Sequence, residues 1–368
     1  MRNILYIIEK EFKHILRNRS ILPAIFVAPM IQLIIMPLAA DYEIKNINLA
    51  IVSGHYSSET QHLIQKITCS GFFKLVKETS SFEEGKELIE KDQADLVLQI
   101  PNDLEENLVK EKKGKVLIFV NAINGTKANI GATYLSSILK TYNLEFIQKE
   151  FGLTNPVDLR YSNWYNKFMN YPFFIVPGVL VTLVTMIGAY MCALNIVKEK
   201  ELGTIEQINV TPIKKHEFIL GKLIPFWIIG FFVFSVGFFF IGMGIYGIRP
   251  LGSILLLYLF LAVFLVAVLG LGLLISTYSQ TQQQAMSVAF FFMMIFMLMS
   301  GLFTPIESMP NWAITMAKFN PVTYFIEVMR MVVLKGSGFA DISGHLLKML
   351  GFAIFFNSWA VWNYRKTV

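Results

Sequence analysis

Four consecutive charges, Lys198-Glu199-Lys200-Glu201, follow directly on one long apolar run and are themselves followed by Thr204, Glu206, Thr211, Lys214, Lys215 and Glu217. Alternating charges with interleaved threonines suit ion pairing and helix capping rather than bond making. No G-x-x-x-x-G-K-[ST] occurs, because Gly221-Lys222 is followed by Leu223, so the chain cannot hold a nucleotide by a P-loop. His14, His55, His62, His216 and His345 are scattered without ligand spacing, and Cys69 and Cys192 form neither a metal motif nor a disulfide framework. The expectation is no catalytic residue, no metal and no cofactor bound by this chain.

The elements that must carry these residues follow from hydropathy. Of 368 residues 54% are hydrophobic and 16% charged, whereas a soluble domain is about a quarter charged. Leu180 to Leu194, Phe226 to Ile241, Ile254 to Ile275 and Ala285 to Phe303 contain no Asp, Glu, Lys or Arg. Runs approaching about 20 residues can cross the hydrocarbon core. The expected fold class is an α-helical membrane protein of about six transmembrane helices with an inserted extracytoplasmic α/β domain. The net charge of +6 reads as orientation, not nucleic-acid binding. Basic residues collect before the first span (Arg2, Lys10, Lys13, Arg17, Arg19), between the second and third (Lys198 to Lys222) and at the end (Arg365, Lys366). The positive-inside rule assigns these segments, and both termini, to the cytoplasm.

Along the chain, residues 1–40 read as an amphipathic interfacial helix and a first span. Ile4, Leu5, Ile8, Phe12, Ile15 and Leu16 share one face of that helix, opposite Arg2, Lys10, Lys13 and Arg17. The first span, Ile21 to Ala40, reads as an uncleaved anchor, since roughly twenty residues including Glu9 and Glu11 precede it. Residues 41–168 alternate strand and helix signals and form a small α/β domain. Strands are expected at Ile47 to Val52, Phe72 to Lys77, Asp95 to Ile100 and Val116 to Val120. Helices are expected at Ser58 to Thr68, Glu83 to Lys91, Leu104 to Lys112 and Lys127 to Lys149.

Residues 169–368 hold five further spans, near Tyr171 to Val197, Leu223 to Tyr246, Leu251 to Ser276, Ala285 to Leu302 and Leu347 to Tyr364. Between the last two, the segment 303–336 is too apolar for a free loop and is broken by Pro305, Pro310 and Pro321. A re-entrant or interfacial helix pair at the outer face fits it, with Glu327 and Arg330 neutralising each other at i,i+3.

The spans carry essentially no ionisable side chain, Lys348 lying only at an edge, which argues against an ion-coupled transporter. Energy then arrives from outside the bilayer, and on local physics the loop 198–222 is either where it acts or a solvated loop whose charges only fix topology. Gly203 can end the helix that continues from the second span. Thr204 with Gln207 makes a capping box, and Thr211 with Pro212 opens a short helix through Lys214, Lys215, His216 and Glu217.

Two stretches carry a resemblance. Val197-Lys198-Glu199-Lys200-Glu201-Leu202-Gly203-Thr204-Ile205-Glu206-Gln207, then Thr211-Pro212 and Glu217-Phe218-Ile219-Leu220-Gly221-Lys222, resemble the cytoplasmic signature of the ABC-2 transporter permease family. Ser300 to Ile306, Met309-Pro310, Asn320-Pro321-Val322-Thr323-Tyr324-Phe325 and Arg330 are similar to that family's outer re-entrant segment. The resemblance covers the whole chain, including the α/β insertion, which is similar to that of the drug-export-like subgroup. It implies a permease in a bacterial inner membrane that dimerises with a second copy or a close paralogue. It further implies two copies of a cytoplasmic ABC ATPase subunit, with ATP and Mg on that partner. Glu199, Glu201, Gly203, Thr204, Glu206, Thr211, Pro212, Lys214 and Glu217 are then the coupling residues, and a periplasmic adaptor is a further partner for the outer domain. The implied function is ATP-driven export of an amphiphilic or hydrophobic substrate. The competing reading from another class is a membrane sensor with an extracytoplasmic ligand-binding domain.

Overall fold

The computed structural model describes residues 2–19, 21–39, 47–54, 57–104, 106–107, 114–121, 123, 125–151, 165–166, 170–204 and 213–364. In chain order the elements are α1 (Arg2–Arg17), α2 (Ile21–Ala39), β1 (Ile47–Ser53), α3 (Ser58–Thr68), β2 (Phe73–Thr79), α4 (Phe82–Glu90), β3 (Leu96–Ile100), β4 (Leu117–Val120) and α5 (Gly125–Phe151). They continue with α6 (Tyr171–Glu201), α7 (Lys215–Ile245), α8 (Ile254–Tyr278), α9 (Gln282–Leu298), α10 (Asn311–Ala317), α11 (Pro321–Arg330) and α12 (Phe339–Asn363). The chain divides into two compact units, Asp41–Tyr161 and Met1–Ala40 with Ser162–Val368.

The α/β unit is built on a four-stranded sheet of order β2-β1-β3-β4, parallel except for the β3–β4 pair. Central β1 is buried on both faces, as a parallel strand covered by helices must be. Ile47, Leu49 and Ile51 pack with Leu63, Ile67 and Leu135 on one side, and Ala50 and Val52 with Leu88 and Val97 on the other. The expected strands and the helices at Ser58, Glu83 and Lys127 all form, with ends moved by one or two residues. The expected helix from Leu104 falls mainly outside the described residues.

The other unit is helical. Among the described residues four helices, α6, α7, α8 and α12, are long and apolar enough to cross a membrane, while Ile25–Ala39 within α2 and α9 are shorter apolar helices. Pro29 and Pro37 lie inside α2, tolerated where neighbouring helices satisfy the freed backbone. Polar side chains knit the long helices together. Trp227 Nε1 donates to the Ala262 carbonyl at 3.2 Å, Ser235 and Tyr258 share a 2.5 Å hydrogen bond, and Asn357 Nδ2 donates to the Val266 carbonyl at 2.9 Å. Such bonds and close packing, not hydrophobic exclusion, hold helices together in lipid.

Three expectations need correction. The last helix begins at Phe339, eight residues before the expected Leu347, and a capping contact explains it: the Asp341 carboxylate accepts the Gly338 N–H at 2.9 Å. Lys214 is an extended N-cap residue (φ −77°, ψ 151°) and Lys215, His216 and Glu217 are the first turn of α7 itself rather than part of a separate short helix, while the expected cap at Thr211 and Pro212 lies outside the described residues. Lys222 is therefore inside a long helix rather than ahead of one. On α1, Glu11 is fully buried beside Ile15, whereas Leu5 and Leu16 are exposed.

Candidate coupling site

The two ends of the 205–212 connection are α6 and α7, and buried charge fastens them together. Lys222 on α7, 1% exposed, places Nζ 2.7 Å from Glu11 Oε1 of α1 and 2.7 Å from Glu199 Oε2 of α6. It also donates to Asn195 Oδ1 at 3.2 Å. Lys10 Nζ reaches the other Glu199 oxygen at 2.5 Å. Two ammonium groups and two carboxylates thus alternate across three helices, the arrangement that makes buried charge tolerable. Burial by itself would depress the Lys10 ammonium, but Glu199 and then Glu11 outweigh it and raise its pKa above the usual lysine value.

Packing lets these charges meet. A Cβ at Gly221 would sit 2.6 Å from Ile7 Cγ2 and 2.8 Å from Ile7 Cβ, so α1 approaches α7 this closely only because residue 221 has no side chain. On α6, the helix stops as expected at Gly203, whose φ of +70° suits glycine. The Leu202 and Gly203 N–H groups return to the Lys198 and Lys200 carbonyls at 3.1 and 3.0 Å. The Thr204 hydroxyl donates to the Glu199 carbonyl at 3.0 Å.

The next two charges of the run serve the turn between α8 and α9. Lys200 Nζ donates to the Ser276 and Ser279 carbonyls at 2.6 and 3.1 Å, at the C-terminus of α8. Glu201 accepts from the Gln282 backbone N–H at 3.2 Å and from its side chain at 2.7 Å, at the N-terminus of α9. A cation at a helix C-terminus and an anion at an N-terminus each complement the backbone dipoles. Elsewhere on this end of the bundle, Glu217 accepts the Lys214 N–H at 3.0 Å and Lys215 Nζ donates to the Tyr364 carbonyl at 3.0 Å.

Of the residues expected to couple, Glu199, Glu201, Gly203, Thr204, Lys214 and Glu217 therefore gather at the ends of α6 and α7, with Glu199 nearly buried. Glu206, Thr211 and Pro212 lie outside the described residues. Sequence reading missed Glu11 and the burial of Lys222. A signal was present for Glu11: it stands one helical turn from both Ile7 and Ile15, a carboxylate in the middle of an apolar stripe.

The segment after α9 forms a second polar cluster in apolar surroundings. Pro305 precedes a single 3₁₀ turn, Pro310 leads into α10, and Pro321 is the first residue of α11. With the π-helical turn Met331–Lys335 that continues it, α11 is still shorter than the about 20 residues a bilayer-spanning helix needs. It is largely buried, with Phe325 against Phe264 at 4.7 Å and Phe260 at 5.4 Å between ring centroids. Side chains of the Asn320-Pro321-Val322-Thr323 motif satisfy the carbonyls left open where α9 ends: Asn320 Nδ2 donates to Phe296 at 2.7 Å and the Thr323 hydroxyl to Met299 at 3.3 Å.

Glu327 and Arg330 do not neutralise each other as expected. Glu327 meets His345 Nε2 of α12 at 3.0 Å. Arg330 donates to the Gly301 carbonyl at 3.0 Å and lies 3.6 Å over the Phe174 ring. On a buried helix each side chain turns to the neighbour that its own face meets.

Several helices long and apolar enough to cross a membrane, together with a small α/β unit, define a multi-pass membrane protein. The chain belongs to the ABC-2 family of transporter proteins, whose family model matches residues 19–362. It is similar to the probable multidrug ABC transporter permease YbhR of Escherichia coli K12, 30% identical over 330 residues that cover 89% of each chain. It is also similar to YbhS of the same organism, likewise described as a probable multidrug ABC transporter permease, at 26% identity over 89% of this chain and 87% of the relative. The inner membrane transport permease YhhJ of that organism is 20% identical over 100% of this chain and 98% of its own. The protein is thus the permease of an ABC exporter, and its family implies an ATPase partner.

Proposed function

We propose that this permease exports an amphiphilic or hydrophobic, drug-like substrate from the cytoplasm or inner leaflet, powered by ATP hydrolysis on a separate subunit. The multidrug names of YbhR and YbhS and the inner-membrane name of YhhJ support the substrate class and the location. Two permeases assemble, as a homodimer or a pair of close paralogues, with two ATPase subunits. Six helices cross the membrane, the α/β unit lies outside, both termini lie inside, and the segment 303–336 is re-entrant at the outer face.

The observation that carries the mechanism is the ion cluster joining Lys222, Glu199 and Glu11. The ATPase engages the 205–212 connection, including Glu206, Thr211 and Pro212. Because both ends of that connection are tied to each other and to α1, a push on it moves α1, α6 and α7 together instead of being absorbed by one side chain. Lys200 and Glu201 carry the movement to the turn between α8 and α9. ATP-driven closure of the partner then favours the permease state that binds it better and opens a path between the two permeases.

The test separates contact from transmission. Glu206→Arg with Pro212→Gly is expected to lower co-purification of the ATPase subunit, whereas Lys222→Met should leave the complex intact and uncouple ATP hydrolysis from transport. Unchanged co-purification and transport in the first variant would remove the loop from the mechanism.

A further inference from the structure

Of the four alternating charges on the last turn of α6, three are engaged and one is not. Glu199 belongs to the ion cluster, Lys200 caps α8 and Glu201 caps α9. The half-buried side chain of Lys198 makes neither an ion pair nor a hydrogen bond among the described residues. It lines a cavity of about 270 Å³ with an apolar wall of Met191, Leu194 and Phe226 and a polar edge that includes Asn195 and Gln282. The Asn195 carbonyl oxygen accepts from Lys222, so its amide N–H groups are donors without a partner among the described residues. The cavity also reaches Asn18, in the turn between α1 and α2, which puts it at the end of the bundle that carries the 205–212 connection.

A free ammonium and a free amide beside an apolar wall match the two halves of an anionic amphiphile: the head makes charge-assisted hydrogen bonds while the chain lies along Met191, Leu194 and Phe226. Burial, and next the charge of Lys198, hold the nearby His14 imidazole below its usual pKa, with Lys222 adding to the effect and Glu11 and Glu199 opposing it. We infer that this cavity binds the phosphate or carboxylate head of a single-chain-sized apolar molecule, with Lys198 and Asn195 on the head. Its occupant is either a resident acidic phospholipid or an anionic amphiphile on its way to export, and the site does not depend on which of them it holds.

The test uses the full-length permease purified in a neutral detergent and titrated with dodecyl phosphate. Saturable binding is expected, weakened about tenfold or more by Lys198→Gln, the scale of one hydrogen bond to a charged group, and retained in Lys198→Arg. Leu194→Trp, which narrows the apolar wall without touching a charge, should weaken it too. Lys13→Gln, on the exposed pair with Glu9, should leave it unchanged. Equal binding of dodecyltrimethylammonium, equal binding of inorganic phosphate alone, or binding indifferent to both Lys198→Gln and Leu194→Trp overturns the inference. Adding the ATPase subunit and ATP separates the sources: release of dodecyl phosphate on ATP addition marks cargo, and retention together with co-purified phosphatidylglycerol that Lys198→Gln loses marks a resident lipid.

Discussion

Lys222 Nζ lies 2.7 Å from Glu11 Oε1, with both side chains sealed from solvent, so the N-terminal amphipathic helix is pinned by charge to the first turns of α7. The same ammonium is 2.7 Å from Glu199 on α6. One lysine thereby holds together the helix that precedes the first apolar segment and the two helices that flank the proposed ATPase contact.

Removing that lysine leaves two buried carboxylates facing only Lys10. Lys222→Met is expected to destabilise the permease by about 3 kcal/mol, the low end for breaking a buried ion pair from one side. Adding Glu11→Gln should recover part of the loss, since it removes one of the uncompensated charges. Thermal unfolding of the single and double variants in detergent checks this, and a double variant no more stable than Lys222→Met would contradict it.

Gly221 makes a steric prediction of a different kind. Gly221→Val places a branched side chain where Ile7 already packs, so α1 must lift from α7. Faster hydrogen exchange is expected in residues 4–17, with α8 unchanged. Protection in α1 equal to that of the parent protein would mean that the contact is not maintained in the membrane.

The turn between α8 and α9 depends on Lys200 and Glu201. Lys200→Met leaves the carbonyls of Ser276 and Ser279 without their cation, and Glu201→Ala removes the acceptor for the Gln282 N–H. Lys200→Met should cost about 1 kcal/mol, typical of a lost helix-end contact, and Glu201→Ala should loosen the first turn of α9. Exchange at residues 277–284 is the readout, and because both contacts brace the same short turn the two substitutions together should depart from additivity.

The α/β unit carries a separate pH dependence. Glu59 accepts from Lys149 Nζ at 2.9 Å and from the Tyr142 hydroxyl at 2.8 Å, and these bonds hold its pKa below the ordinary value of 4.5, Lys149 contributing most. A depressed carboxylate pKa stabilises the fold fully above the unfolded value, and the stabilisation disappears as pH falls through the folded value. The parent protein should therefore lose stability more steeply below about pH 4.5 than Glu59→Gln, with the two curves parallel at neutral pH. Thermal unfolding of the α/β unit across pH 3 to 7 reads the difference.

Arg330 tests the segment after α9. Arg330→Lys keeps the charge and loses the flat guanidinium that lies over Phe174 and reaches the Gly301 carbonyl. A stability loss of about 1 to 2 kcal/mol is expected despite the conserved charge. A neutral effect would assign the position to charge alone.

Much of this architecture was legible in the residues because it depends on local pattern. Uninterrupted apolar runs marked the long helices, two-residue alternation and turn residues marked the strands, and Gly203 marked the end of α6, since each acts within a few residues of itself. The charged run 198–201 and the Asn320-Pro321 motif also stood out as unusual. What each of those charges does was not legible. Glu11 and Lys222 are 211 positions apart and Lys200 finds its carbonyl across 76, distances at which spacing carries no information and only helix packing selects a partner. Local spacing misled where it competed with packing: Glu327 and Arg330 share a helix at a pairing interval, yet buried faces turned them to His345 and Gly301. The sequence by itself determined that this is a membrane protein with helices, an α/β unit and a charged connection of particular composition. The tertiary structure alone decided that the connection is braced from both sides, because burying a charge requires an opposite charge that only the assembled bundle brings within reach.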